Sequence, residues 1–333
     1  MFSTVFNKLF RIRLKQFLIV CLVFNALIGY AQNFSEVERI VSTYPNKIAT
    51  INGLTNLILE DFPDPKSQVM AIYTWIGTHI QYNLNEYKYG SDSYSFRYAS
   101  QEELMQKIKE RDLSIVGSTL QSQRAVCEGY AKTFHLACET LKIPSVVISG
   151  YSRTGASTIG KLPLSEKHAW NAVKIENTWQ LIDVTWGAGY SENNEYWTPH
   201  FDPYFCFTPP HEFIGSHFPI EKKWQLLASP VSEKAFASQP IYSAYYYTLG
   251  AQLVAPKQGV LNSLKNESYL IQLTGLDPAT ELGYAYEKDY YLTTIIPEFS
   301  DGIATLKVPA KEKKNTFLNL LVENKMIVRF YIE

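Results

Sequence analysis

The chain has 333 residues, 46% hydrophobic and 19% charged, with 31 Lys and Arg against 32 Asp and Glu for a formal net charge of −1. That balance describes a globular chain rather than a disordered one, too long for one small core and short for three. Beyond the N-terminus there is no basic excess or Lys/Arg run, which argues against a nucleic-acid partner.

The first 31 residues differ from the rest. Lys8, Arg11, Arg13 and Lys15 precede an apolar run from Phe17 to Ile28, and Gly29-Tyr30-Ala31 follows before Gln32. A charged start, a short apolar run and a small-x-small cleavage site read as a secretory signal peptide over 1–31. About 12 apolar residues are too few to span a bilayer comfortably, and Cys21 sits inside the apolar run, where lipoprotein processing is not expected. Cleavage removes four positive charges and no negative ones, moving the net charge from −1 to −5. The expected product is exported, periplasmic or extracellular if bacterial, with no transmembrane span after cleavage.

In the mature part, Ser35-Glu-Val-Glu38 starts a helix with acidic residues in its first turn. Helical patterns follow over about 48–59 and 65–80, the second with Val69, Met70, Tyr73, Trp75, Ile76 and Ile80 on its apolar face. The Tyr- and Ser-rich stretch 83–100 has no clear period and reads as a surface loop. Residues 101–110 are helical again, and 113–123 lead into the next helix. There Val126, Tyr130, Phe134, Cys138 and Leu141 recur at helical spacing, predicting a helix over about 126–142. Ile143-Pro144 stops it, because the residue before a proline avoids the helical region.

After Pro144 the texture turns to strands. Residues 145–150 form a β-rich run, 153–164 a loop, and two strands carrying His168 and Asp183 meet at Glu176-Asn177. The segment 190–224 is rich in Pro, His and aromatics with little periodicity, and Ser229-Pro230 is a plausible boundary. From about 239 onward short β-like runs at 268–273, 282–286, 303–308, 316–322 and 326–332 suggest a β-sandwich folding as its own unit. The Tyr245-Tyr246-Tyr247 run reads as core and cross-strand pairs at β spacing, with glycan or partner binding as the alternative.

The chemistry centres on Cys127. It falls in the first turn of its helix, where unpaired amides and the positive end of the dipole favour a thiolate. Cys127 and Cys138 lie roughly 16 Å apart along one helix, out of disulfide reach. With Cys206 the mature chain holds three cysteines, so one is left over in any pairing, and a free Cys127 is the simplest reading. A two-residue turn at Glu176-Asn177 sets His168 opposite Thr185 and puts Asp183 on the same face. Such diagonal neighbours are roughly 7–8 Å apart at the backbone, within reach of a carboxylate–imidazole bond. An odd-length turn would put them on opposite faces. Cys127 would then attack a carbonyl carbon, His168 would move its proton, and Asp183 would fix the imidazole tautomer. Taken singly, each residue also has a plain structural reading as part of a core. His135 lies roughly 12 Å along the helix from Cys127, too far to be its base. His200, Cys206, His211 and His217 include no tight ligand pair, so neither a metal nor a cofactor is expected.

Val126-Cys-Glu-Gly-Tyr-Ala131, His168-Ala-Trp-Asn171 and Trp179-x-x-x-Asp183-x-Thr-Trp-Gly187 resemble, in order and spacing, the three core motifs of the transglutaminase-like superfamily. The segment 64–82 resembles the helix such domains carry upstream. Thr208-Pro-Pro-His-Glu-Phe213, His217-Phe-Pro219 and Trp224-Gln-Leu-Leu227 are similar more narrowly to its kyphoscoliosis-peptidase branch. The resemblance covers about 64–230. It implies an α+β fold: a papain/transglutaminase-like cysteine-enzyme core at 101–236, preceded by a helical region at 32–100 and followed by a β-sandwich at 237–333. It also implies Cys127, His168 and Asp183 as the catalytic triad. Gln121, six residues before Cys127, has the spacing of the glutamine oxyanion donor in papain-like enzymes, and Gln123 is equally polar and near. The Cys127 amide is a further candidate donor. The expected activity is that of a peptidase or amide hydrolase acting on protein, peptide or cell-wall amides. A catalytically idle binding module and an amine-accepting crosslinker are the alternatives. No acidic cluster resembles the calcium sites of the animal crosslinking enzymes.

Overall fold

The computed structural model describes residues 34–333 except 91–94, 154, 166, 193–194, 263–266, 288, 290 and 312–314. The expected signal peptide at 1–31 lies outside the described residues. No helix among the described residues is long and apolar enough to cross a membrane.

Two units divide the chain, one of residues 1–145 and 184–206, the other of 146–183 and 207–333. The first is mainly helical. Residues 34–41 are helical, and helices Ile51–Asp61 and Pro65–His79 follow. Asp64 starts the latter by accepting from the amides of Lys66 and Ser67, with Pro65 in the first turn where a missing N–H costs nothing. Val69, Met70, Tyr73, Trp75 and Ile76 are buried along it, and the Tyr73 hydroxyl donates to the Asp202 carbonyl at 2.5 Å. The stretch expected to be a loop contains a helix, Leu84–Tyr89, whose start is capped by the Asn83 side chain accepting from the Glu86 amide. The helix expected over 101–110 runs on as Gln101–Ser122. Its second half buries only Val116, Thr119 and Leu120. That narrow stripe, set in an otherwise polar sequence, is a weak periodic signal. Gln123, with φ of 52°, ends it.

The second unit begins with a five-stranded sheet ordered Cys206–Thr208, Thr178–Ile182, Lys167–Ile175, Ser145–Ser152, His217–Pro219. The turn at Glu176-Asn177 has both residues at positive φ, 47° and 64°, the conformation that matches the twist of a two-residue hairpin. The expected register follows: Ile175 pairs with Thr178 and Asn171 with Ile182. Pairing stops there. Val184–Ala188 is helical, so Thr185 is not a strand residue opposite His168. On one face Ile148, Trp170, Ala172, Leu181 and Phe213 form an apolar cluster with Trp179 and Trp224 against it. Gly150 makes this packing fit, because a Cβ there would lie 2.3 Å from the Trp170 ring.

The rest of the second unit holds two sheets. One orders Ile241–Tyr242, Lys325–Ile332, Thr316–Val322, Leu282–Tyr286 and Thr293–Ile295, with Val260–Leu261 also paired to the Lys325–Ile332 strand; the other orders Gln252–Ala255, Ser268–Thr274, Ile303–Pro309 and Glu298–Ser300. Burial alternates along Thr316–Val322 and Ser268–Thr274 as the two-residue strand period requires. Residues of both sheets, among them Ile271, Leu273, Leu306, Leu318, Leu320 and Phe330, share one buried cluster. Tyr245-Tyr246-Tyr247 lies not in a strand but in a short helix, Ala244–Thr248, capped by Ser243. The boundary expected at 236/237 falls inside this unit, where buried Arg153 donates to the carbonyls of Ala237, Gln239 and Pro240.

Candidate active site

Cys127 is the first residue of the helix Cys127–Thr140, following an extended Val126. Tyr130, Phe134 and Cys138, one turn apart, with Ala137 and Thr133 beside them, form the buried stripe that makes this segment a helix. Its start is pressed against the preceding chain. A Cβ on Gly129 would lie 2.6 Å from the Ala125 Cβ and 2.8 Å from the Thr119 hydroxyl, so the Cys-Glu-Gly order has a steric reason. The Tyr130 hydroxyl donates to the Ile80 carbonyl at 2.5 Å. Glu128, beside the cysteine, makes a two-pronged bond to Arg111 at 2.7 and 2.9 Å and an ion pair with Lys132 at 2.8 Å. Burial would raise its pKa, but these two cations outweigh it and hold the carboxyl below its ordinary value. Among the described residues Cys127, Cys138 and Cys206 stand outside any disulfide, Cys127 half-buried and Cys138 and Cys206 buried.

Gln121 is exposed near the end of the helix Gln101–Ser122. Gln123 is committed elsewhere, its amide donating to the Asn46 carbonyl at 2.6 Å and the His79 carbonyl at 3.4 Å.

In the second unit His168 lies near the start of its strand, and Asp183 directly follows the partner strand. His168 Nε2 donates to Asp183 Oδ2 at 2.7 Å, both side chains being buried. A third residue joins them. His217 Nε2 donates to the same Asp183 oxygen at 2.9 Å, and its Nδ1 lies 2.8 Å from the Ser216 hydroxyl. Burial alone would raise the Asp183 pKa, yet the two imidazoles hold the carboxyl well below the usual carboxylate range. Burial acts oppositely on His217. It pushes the imidazole pKa down to about 4 against the pull of Asp183, so His217 is neutral at pH 7. With Nε2 bonded to Asp183, the other ring nitrogen of His168 is Nδ1.

The candidate ligand atoms of His168, Asp183 and His217 lie within 4.8 Å of one another, a spacing that a metal ion could also use. Both imidazoles meet one carboxylate oxygen at hydrogen-bond distance. Of the four residues weighed in the sequence for zinc, His200 and His211 are exposed, and His217 belongs to this cluster. Sequence reading did not place His217 beside the triad. The one available signal was a histidine within a short apolar strand, His217-Phe218-Pro219.

Residues 53–184, which contain Cys127, His168 and Asp183, match the transglutaminase-like superfamily. The kyphoscoliosis peptidase of Mus musculus is 30% identical over 224 residues, covering 66% of this chain and 30% of that protein. Residues 53–184 thus form a domain of the transglutaminase-like superfamily. The human kyphoscoliosis peptidase is 29% identical over 234 residues, covering 68% of this chain and 32% of that protein. The chain is thus similar to kyphoscoliosis peptidases, and it spans only about a third of those relatives' length. A solved structure described as that of a TGase matches 50% of this chain and 36% of its own, at 16% identity and a TM-score of 0.28. The superfamily match and the sheet with its preceding helices agree in an α+β fold with a transglutaminase-like core.

Proposed function

We propose that this transglutaminase-like chain is an exported cysteine-dependent acyl-transfer enzyme that hydrolyses amide bonds, most simply a peptidase. The observation that carries the reading is the buried bond between His168 Nε2 and Asp183 Oδ2, which orients an imidazole for proton transfer. Support comes from Cys127 at a helix start within the same superfamily span, and from the peptidase name of the relatives. In the proposed reaction His168 Nδ1 takes the Cys127 thiol proton as Sγ attacks the carbonyl carbon. The C–N bond then breaks, and His168 returns the proton to the departing amine. Water, deprotonated by His168, opens the thioester to release the acid and restore the thiol. Asp183 stabilises the imidazolium throughout. Gln121 and the Cys127 amide are the proposed oxyanion donors.

Export rests on the N-terminal sequence, and N-terminal sequencing of secreted protein should begin at Gln32. An intact N-terminus on the exported form would remove that part of the reading. The shared core of the two C-terminal sheets supports a β-sandwich for 237–333. The activity is tested by incubating wild type and Cys127→Ala with peptide and cell-wall amides, with and without excess primary amine. Acid product from wild type alone supports hydrolysis, whereas predominant amine-linked product would make the chain a crosslinker. No turnover and no acylation of Cys127 with any amide would make it an idle module.

A further inference from the structure

We propose that His217 is a positioning residue for the reaction: its Nε2–H holds the Asp183 carboxylate aimed at His168 and takes a share of its charge. The proposal rests on the Cys127–His168–Asp183 reading given above.

Asp183 Oδ2 accepts from His168 at 2.7 Å and from His217 at 2.9 Å. An ionised carboxylate has no proton to give, so both Nε2 atoms are donors. His217 is gripped on several sides. Its Nδ1 is 2.8 Å from the Ser216 hydroxyl. Its ring is stacked on Phe213 with centroids 3.9 Å apart and meets Trp170 edge-on at 5.2 Å. The His168 ring lies 5.5 Å away. Among the described residues the titratable groups facing His217 are Asp183 and His168, while Phe213, Trp170 and Ser216 carry no charge. One carboxylate in so buried a space balances one cation. His217 therefore remains a neutral donor while His168 gains and loses its proton. The second donor stops the carboxylate from rotating away, and by drawing on its charge keeps the His168 imidazolium from becoming too stable to give up its proton.

The test uses His217→Leu, which removes the donor, and His217→Gln, which can restore an N–H at similar reach, both in the full chain. A reactive peptide amide gives kcat, KM and the pH profile of kcat/KM, and iodoacetamide gives the pH dependence of Cys127 alkylation. His217→Leu should lower kcat roughly 10- to 100-fold, as loss of a supporting partner does in other sites, with KM within about twofold. Its basic limb, where the imidazolium loses its proton, should move to higher pH by about half a unit or more, since Asp183 then acts undivided on His168. His217→Gln should recover kcat to within about threefold. A leucine variant with unchanged kcat, a limb that stays or moves downward, or a glutamine variant as impaired as leucine would each overturn the proposal. If circular dichroism shows the leucine variant unfolded, His217→Asn, whose amide is too short to reach Asp183, replaces it under the same criteria. His168→Ala and Asp183→Ala, run in parallel, separate the two readings. If neither alters turnover or alkylation the triad itself fails, whereas if they do and His217→Leu does not, this inference alone fails.

Discussion

Acidification should cost this protein stability well above the pH at which its carboxylates protonate, and His217 is the reason. Its side chain has no solvent exposure, and burial lowers its pKa from 6.5 to about 4. In the unfolded chain the same imidazole takes up a proton near pH 6.5. A histidine depressed in this way contributes stability that is complete above about pH 6.5 and is lost as pH falls towards 4, because the unfolded state binds more protons throughout that window. The full displacement corresponds to about 3 kcal/mol, most of which falls between pH 7 and 4.5. Asp183 does not contribute there. Its carboxyl is held low, so its share is present above the ordinary value of 3.8 and is lost only below it. Urea unfolding followed by tryptophan fluorescence at four pH values between 7 and 4.5 would compare wild type with His217→Gln. Other titrating groups are common to both, so the difference in slope isolates His217. Wild type should lose about 2 kcal/mol more than the variant over this range. Parallel curves would refute the argument.

Arg153→Met should lower the melting temperature by roughly 10 °C, following a loss of about 3–5 kcal/mol. The reason is that Arg153, 2% exposed, satisfies three carbonyls in the 237–240 segment and lies 4.8 Å over the Phe236 ring; a shift under about 2 °C in a thermal melt would contradict it. Gly150→Ala should cost about 1–3 kcal/mol in chemical denaturation, because the new Cβ meets Trp170 at 2.3 Å and the Phe218 carbonyl at 2.4 Å. Mass-spectrometric mapping of iodoacetamide adducts on native protein should find Cys127 labelled at least about tenfold faster than the other two thiols. Burial both shields Cys138 and Cys206 and raises their pKa values; equal labelling of all three would go against this.

The residues around Cys127 and in the His168 hairpin were legible because their signals are local. Tyr130, Phe134 and Cys138 mark one helix face within a few turns. Glu176-Asn177 fixes a register that the alternation of the two strands then carries to Asn171 and Ile182. The reading lost accuracy where a short element interrupts the pattern. The strand does not continue through Asp183, since a helix begins at Val184, yet the His168–Asp183 bond forms across that break. The tyrosine run at 245–247 has β-forming residues, but Ser243 caps a helical turn there, and tertiary packing overrides propensity. His217 was out of reach for a different reason. It meets Asp183 from 34 positions away, at the far edge strand of the sheet, a pairing that no periodicity encodes.

The division of the chain into interleaved units has a consequence for its biosynthesis. The polypeptide passes from one unit to the other after residues 145, 183 and 206. The unit containing Cys127 has all its residues once position 206 has left the ribosome. The unit containing His168 and Asp183 must wait for the strand Lys325–Ile332, which pairs with Ile241–Tyr242, Val260–Leu261 and Thr316–Val322. The proposed nucleophile is thus housed before its acid–base partners. A nascent chain, or one terminated before this strand, carries the thiol without a finished scaffold for the imidazole, so competence for the proposed chemistry arrives only once the strand Lys325–Ile332 has been made.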